Sequence, residues 1–230
     1  MTNYANDSEL FELLKTQLFT AVVGDVLDTL GFQRQFLPPA ITALEKSMRL
    51  AGRAMPVLEA DIYDTGRADA AGPLANKPFG LMLEALDNLR EGEVYVATGG
   101  SPSYAQWGEL MSTRASHLGA AGAVLDGYAR DAGGIEALGF ATFCRGVYAQ
   151  DQGPRGQVID FRCAVEIAGI RIEPGTLLFG DREGVLVIPK DAEEEAVRLA
   201  LEKSSTENKV EQAIKSGMSA VDAFQKFGVL

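Results

Sequence analysis

With 230 residues, 47% of them hydrophobic and 23% charged, the chain is long enough for one substantial core, and nothing in it demands a second domain. The formal net charge of -11 disfavours a nucleic-acid groove, which needs clustered Lys and Arg, although one arginine with backbone amides can still hold a small anion locally. Two cysteines, Cys144 and Cys163, have neither the number nor the pattern of a disulfide framework or zinc site and read as buried reduced thiols.

The opening MTNYANDSEL lacks the basic start and apolar core of a secretory signal. No run approaches the roughly 18 apolar residues of a membrane span. A cytoplasmic location is expected, with neither membrane nor nucleic acid as partner.

In chain order, Asn6 to Ser8 can cap a first helix whose apolar face is Leu10, Phe11, Leu13, Leu14 and Leu18. Residues 20–31 predict a second helix closed by Gly31. Asp25 and Asp28 lie one turn apart there, a spacing open to a metal pair but commoner in capping and dipole roles, so neither is given a catalytic part. Leu37-Pro38-Pro39 breaks the chain before a short strand from Met48 to Met55. The stretch from Glu59 to Lys77, containing DIYDTGRADAAG, reads as an exposed loop; Arg67 within it is either a contact for a distal carboxylate or a solvated side chain. Phe79 to Asn88 predicts a helix and Val94 to Ala97 a strand, ending at Thr98-Gly99-Gly100-Ser101. Those glycines suit close approach to a ligand and suit a tight turn equally. Trp107, the only tryptophan, reads equally as a pocket wall or a core anchor.

The chain is organised around residues 108–131. Leu110, Met111, Ala115, Leu118 and Ala121 recur near the helical period, Gly119 to Gly122 break the helix, and Ala123-Val124-Leu125 form an apolar run suited to a buried strand. After the turn Asp126-Gly127, Arg130 and Asp131 stand side by side in a polar loop. A loop at the carboxyl end of a buried strand is a common place for chemistry in α/β folds, and the helix start near Gly108 offers unpaired N–H groups to an anion. Spacing alone favours an ordinary helix and strand followed by a solvated turn pair. The glycines precede a strand, whereas a dinucleotide fingerprint must follow one, which rules against a Rossmann enzyme. His117 is the sole histidine, so a His-based triad or metal centre has no second imidazole, and its helical position favours a surface or packing role.

Beyond Asp131, short strands are expected at 139–143, 147–148, 158–161, 163–167, 176–180 and 185–189. Glu173-Pro174-Gly175 reads as a turn and Asp181-Arg182-Glu183-Gly184 as a hairpin, which accounts for these charges without chemistry. Asp191 to Lys215 predicts a long helix capped by Asp191, with Glu193 to Glu195 as a solvated first turn.

The run Gly108-Glu109-Leu110-Met111, the segment GAVLDG at 122–127 and the pair Arg130-Asp131 together resemble the family that includes 4-hydroxy-4-methyl-2-oxoglutarate aldolase and the regulator of ribonuclease E activity A. The resemblance covers most of the chain, and the E-P-G and G-D-x-x-G-V runs near residues 173–185 agree with it. It implies an α/β fold of the swivelling β/β/α type, a layered sandwich forming one domain over 1–230. The helical tail, 191–230, is expected to pack on a neighbouring subunit of a homotrimer or homohexamer with sites between subunits.

By the same resemblance, the backbone amides of Gly108, Glu109, Leu110 and Met111 hold the pyruvyl part of a small 2-oxo acid together with Arg130. Asp131 binds Mg²⁺, Mn²⁺ or another divalent cation. Glu109, and Glu207 from a neighbouring subunit, reach that cation through water, and Arg130, Asp131 and Glu109 form the catalytic set. The implied function is a divalent-metal-dependent lyase that cleaves or decarboxylates a 2-oxo acid through a pyruvate enolate, as an aldolase or oxaloacetate decarboxylase does. Lys77, in the loop, is not placed for a Schiff base. The alternative is a non-catalytic regulator of ribonuclease activity acting by protein–protein binding; such members tend to lack the metal-binding aspartate that this chain keeps. A third reading is a binding module for a small oxo acid. Methyltransferase labels sometimes attached to the family find no cofactor motif here.

Overall fold

The computed structural model describes residues 4–63, 74 and 77–228. It opens with α1 (Asp7–Gln17) and α2 (Thr20–Thr29), followed by β1 (Thr42–Ala43), β2 (Leu50–Asp61), α3 (Met82–Asp87), β3 (Glu93–Thr98) and β4 (Ala105–Trp107). Next come α4 (Glu109–His117), β5 (Gly122–Leu125), β6 (Tyr128–Ala129), α5 (Ala132–Leu138) and β7 (Thr142–Cys144). The remainder is β8 (Gly156–Phe161), β9 (Val165–Ile167), β10 (Ile170–Ile172), β11 (Leu177–Asp181), β12 (Gly184–Ile188), a 3₁₀ turn at Lys190–Ala192, α6 (Glu193–Lys215) and α7 (Ala220–Phe227).

The main sheet runs in the order β1-β7-β5-β3-β2-β11-β12, with β8 paired to the far half of β2. Its centre, β2-β3-β5-β7, is parallel, and the flanking pairs are antiparallel. Every residue of β5 and β12 is buried, as expected of strands covered on both faces. Alternation assigns the two faces. Ala51, Met55 and Val57 join Tyr95, Ala97, Ala123 and Leu125 on the side that carries the helices, α1, α2 and α6 over one half and α3, α4 and α5 over the other. Leu50 and Ala54 join Val94, Val96 and Val124 on the opposite side, beneath the β9-β10 hairpin. Helices, central sheet and hairpin make a β/β/α sandwich. Truncating one of these side chains, such as Leu125 to Ala, removes about 2–5 kcal/mol by lost burial and the cavity left behind.

Long-range polar contacts fix the helices. Asn6 caps α1, accepting from the Glu9 N–H at 3.0 Å. Asp181 makes the expected hairpin, pairing with Gly184, and its buried carboxylate also accepts from Thr20 N–H and Oγ1–H at 2.8 Å each, capping α2. Arg53, on β2, pairs with Asp7 at 2.5 Å and Glu193 at 2.6 Å, tying both ends of the helical layer to the sheet. Glu193 is therefore an ion-pair partner and not a solvated residue. Ala196, Val197 and Ala200 of α6 enter the core against α2, and Ala223 of α7 is buried beyond it.

Several boundaries differ from expectation. The strand expected at 48–55 runs on through Pro56 to Asp61, so Glu59, read as part of an exposed loop, is a buried strand residue. Pro56 is tolerated because β2 changes its antiparallel partner there, from β11 to β8. Arg67 lies outside the described residues. The helix expected from Phe79 begins at Met82, since Phe79 at φ 62 and Gly80 at φ 65 are left-handed. Val147 makes only an isolated bridge to Ala129, and β10 was missed. Ala192 occupies the N-cap of α6, because Asp191 lies in the preceding 3₁₀ turn. Both thiols are free, Cys144 buried and Cys163 partly exposed. Among the described residues no helix is long and apolar enough to cross a membrane.

Candidate active site

The parallel strands β3 and β5 end on one edge of the sheet, and each continues into a short strand, β4 and β6, which pair in parallel above that edge. β4 runs into α4 and β6 into α5, so the pairing brings the start of one helix beside the start of the other. The Arg130 N–H donates to the Trp107 carbonyl at 2.9 Å, locking the two together. A Cβ at Gly108 would stand 3.0 Å from Asp131 Oδ2 and 3.4 Å from Arg130 Cγ; glycine is there because the side chains of the pair lie against its α-carbon.

Gly108, Leu110, Met111, Arg130 and Asp131 line one cavity of about 260 Å³, with Phe79, Met82, Leu83, Leu86, Ala105 and Trp107 as its apolar walls and Asp151 and Gln152 as further polar lining. The structure thus brings the two halves of the expected constellation into a single pocket. Glu109 is exposed, outside the lining, with its carboxyl against Gly134 of α5. Glu207 lies on α6, 3.8 Å from the Lys203 ammonium, and takes no part in this pocket within the chain. Asp25 pairs with Lys203 at 2.5 Å, and His117 is exposed in the last turn of α4. Trp107 fills both of its open readings: 1% exposed, it stacks on Phe140 at 6.0 Å, meets Tyr95 at 4.8 Å and forms a pocket wall.

The pocket can bind an anion and hold a cation side by side. No side chain caps α4, and the N–H groups of Glu109, Leu110 and Met111 reach no acceptor among the described residues; the first such bond is Ser112 N–H to Gly108 O at 3.0 Å. Arg130 is oriented by Asp151, Nη1 to Oδ1 at 2.7 Å, and its Nε stands 3.6 Å from Asp131 Oδ2. Asp131 occupies the N-cap of α5 with φ 56 and ψ 38, a left-handed conformation costly for a residue with a Cβ, and its side chain caps nothing. About half exposed, its carboxylate is free to take a ligand.

Asp151 and Gln152 were missed at the sequence level, where only the polar run Gln150-Asp151-Gln152 hinted at them. Behind the β4 wall lies a buried polar group that was also missed: Glu59, Tyr95, Tyr104 and Gln106, with Gln152 at the seam. Burial pushes the Glu59 carboxyl up to about 8, against the opposing pull of Gln106, Tyr104 and Gln152. Burial likewise raises the Tyr95 and Tyr104 phenols.

Comparison with known proteins agrees with the fold. Residues 20–187 match the family model described as RraA-like, Aldolase/RraA. A protein of Halalkalibacterium halodurans provisionally named 4-hydroxy-4-methyl-2-oxoglutarate aldolase is 33% identical over 144 residues, 62% of this chain and 68% of that protein. Protein DlpA of Legionella pneumophila is 27% identical over 210 residues, 90% of this chain; the chain spans only 32% of that relative's length. Among solved structures, an uncharacterized protein from Pseudomonas syringae superposes with a TM-score of 0.82 at 27% identity, covering 99% of this chain and 98% of that one. The family model spans most of the chain and the fold agrees with it: the chain belongs to the RraA-like family.

Proposed function

We propose that this protein is a divalent-metal-dependent carbon–carbon lyase that releases pyruvate from a small 2-oxo acid, by aldol cleavage of a 4-hydroxy-2-oxo acid or by decarboxylation. The observation that carries the reading is Asp131, a strained left-handed residue whose carboxylate satisfies no backbone group and faces the same cavity as Arg130 and the uncapped start of α4. Strain of this kind persists where the surroundings enforce it, and here the side chains of Arg130 and Asp131 are held against Gly108.

The donor set fits a hard cation. Among the described residues no three His, Cys, Asp or Glu side chains converge, and Mg²⁺, which keeps several waters, needs only one or two carboxylates. Asp131 would be the direct ligand, with Glu109 and a neighbouring subunit's Glu207 reaching through water. Bound there, Mg²⁺ or Mn²⁺ supplies Lewis-acid stabilisation to the charge that develops on the substrate's ketone oxygen.

The chain's own groups do the rest. The three free N–H groups of α4 hold the pyruvyl carboxylate, and the fixed guanidinium of Arg130 adds positive charge beside the developing oxyanion, kept in place by Asp151. Phe79, Met82, Leu86 and Trp107 give the pocket an apolar wall against which the substrate's carbon chain can lie. In decarboxylation the electron pair of the breaking bond passes to the enolate as CO₂ leaves; in aldol cleavage the leaving carbon's hydroxyl also gives its proton to water and becomes a carbonyl, and in both a proton captured at the enolate carbon gives pyruvate. In this proposal Glu207 comes from a second copy of the chain.

Steady-state turnover of oxaloacetate tests the reading. Asp131→Ala is expected to lose metal-dependent release while unfolding at an unchanged temperature, because the side chain is half exposed and makes no core contact. Full activity in Asp131→Ala removes the metal role. No release by wild type from any 2-oxo acid tried, with a ribonuclease or other protein partner captured instead, favours the regulator reading.

A further inference from the structure

Five polar side chains from four segments converge behind the pocket. Glu59 lies two residues before the end of β2, Tyr95 lies on β3, Tyr104 and Gln106 come from the segment leading through β4, and Gln152 from the loop after β7. All five are nine-tenths or more buried. Both Glu59 carboxyl oxygens, both phenol oxygens, both amide atoms of Gln106 and Nε2 of Gln152 are sealed from solvent and make no hydrogen bond of full geometry, although Gln106, Tyr104 and Gln152 face Glu59 closely enough to pull on its carboxyl. Each unpaired buried polar atom costs about 1–3 kcal/mol, so a cluster of them calls for an occupant or a task.

The chamber is built. A Cβ at Gly100 or Gly156 would overlap Tyr104 Oη, and one at Gly127 would overlap Gln106 Oε1, so three glycines make the room for these polar heads. β4 is the partition: Ala105 and Trp107 line the pocket, and Gln106 between them turns toward Glu59. Gln152 belongs to both sides. The cluster holds one carboxyl group among two amides and two phenols, all able to hydrogen-bond to it, and a single carboxylate with no other anionic ligand disfavours a metal cation there.

We infer that Glu59 is the proton reservoir of the lyase reaction, supplying across the Gln152 seam the proton that becomes part of the pyruvate methyl group. The inference rests on the lyase reading above. The Glu59 O–H bond breaks and a C–H bond forms at the enolate carbon, relayed by water at Gln152. The negative charge passes to the Glu59 carboxylate, which takes a proton back from solvent water once product has left. Glu59 touches no substrate, so it acts as a positioning residue for the proton. A pKa of about 8 keeps the acid neutral at ordinary pH and close to the ideal for exchanging a proton there. The other ionisable groups facing it are Tyr95 and Tyr104, both raised and so neutral, and Asp61, which accepts the Ser101 N–H at 2.8 Å.

The test compares wild type, Glu59→Gln and Gln152→Leu by kcat and KM against pH, with infrared spectra of the substrate-free protein. Wild-type kcat is expected to fall on the alkaline side with a midpoint close to 8. Glu59→Gln is expected to lose that limb and turn over roughly 10- to 100-fold more slowly at similar KM. Gln152→Leu keeps the acid and is expected to slow turnover as well, which serves if Glu59→Gln does not fold. An alkaline limb unchanged in Glu59→Gln overturns the inference. The infrared arm needs no turnover: a protonated-carboxyl band at neutral pH in wild type, absent from Glu59→Gln, is the expected result. Its absence from wild type overturns the reservoir and leaves the lyase standing. The band present with no pyruvate released by wild type overturns the lyase reading instead, and the reaction role of Glu59 with it.

Discussion

Replacing Glu59 with glutamine is expected to change how stability depends on pH, and the size follows from the structure. The carboxyl is buried near the end of β2, with a pKa near 8 in the folded chain against 4.5 for the free side chain. Between those values the folded state keeps a proton that the unfolded state has released, so the folded state binds more protons and stability falls as pH rises. The loss begins near 4.5 and is complete just above 8. Across that window it amounts to on the order of 5 kcal/mol, at 1.36 kcal/mol per pH unit, a large share of a typical domain's total. Glutamine has no proton to retain, so this slope disappears in the variant. Urea unfolding of both proteins at about pH 5, 7 and 9 reads the effect directly. Wild type is expected to lose several kcal/mol relative to Glu59→Gln between the lowest and highest pH. Parallel stability curves for the two proteins would refute the burial argument, and with it the neutral acid behind β4.

Four further outcomes follow from the site. Asp131→Gly is expected to raise stability by about 1 kcal/mol, since glycine adopts φ 56 without strain, while abolishing metal-dependent turnover; thermal melts and a pyruvate assay read the two halves. Gly108→Ala places a methyl group 3.0 Å from Asp131 Oδ2 and should weaken oxalate binding about tenfold in calorimetry with little change in melting temperature. Arg130→Lys loses the planar fork that meets Asp151 at 2.7 Å, and KM for a 2-oxo acid should rise about tenfold or more. Asp151→Asn keeps the shape and removes the charge that orients Arg130, so its effect should fall in the same direction and be smaller.

What was legible in the sequence were features set by local chemistry. The Asn6 cap, the Gly31 helix stop, the apolar run Ala123-Val124-Leu125 and the Asp181–Gly184 hairpin all formed as read, because each depends on residues within a few positions. Gly108 to Met111 and Arg130-Asp131 lie some twenty residues apart and do share one pocket, an expectation that came from the family resemblance and not from their spacing. Features made by distant partners were not legible. Nothing near Glu59 marked it as buried, since its cover comes from Tyr104, Gln106 and Gln152, far along the chain. Asp151 looked like any loop acid until the fold set it against Arg130. Glu193 looked solvated because its partner, Arg53, is 140 residues away.

The central claim, that Asp131 with a divalent cation makes this pocket a lyase site, is met most directly by one assay. Pyruvate release from oxaloacetate and from 4-hydroxy-4-methyl-2-oxoglutarate would be followed for wild type and Asp131→Ala, with Mg²⁺ and then with excess chelator. Release by wild type that stops on chelation, returns on adding Mg²⁺ and is missing from Asp131→Ala in both conditions is the predicted result. Release that persists in chelator, or that survives the loss of Asp131, would contradict the claim.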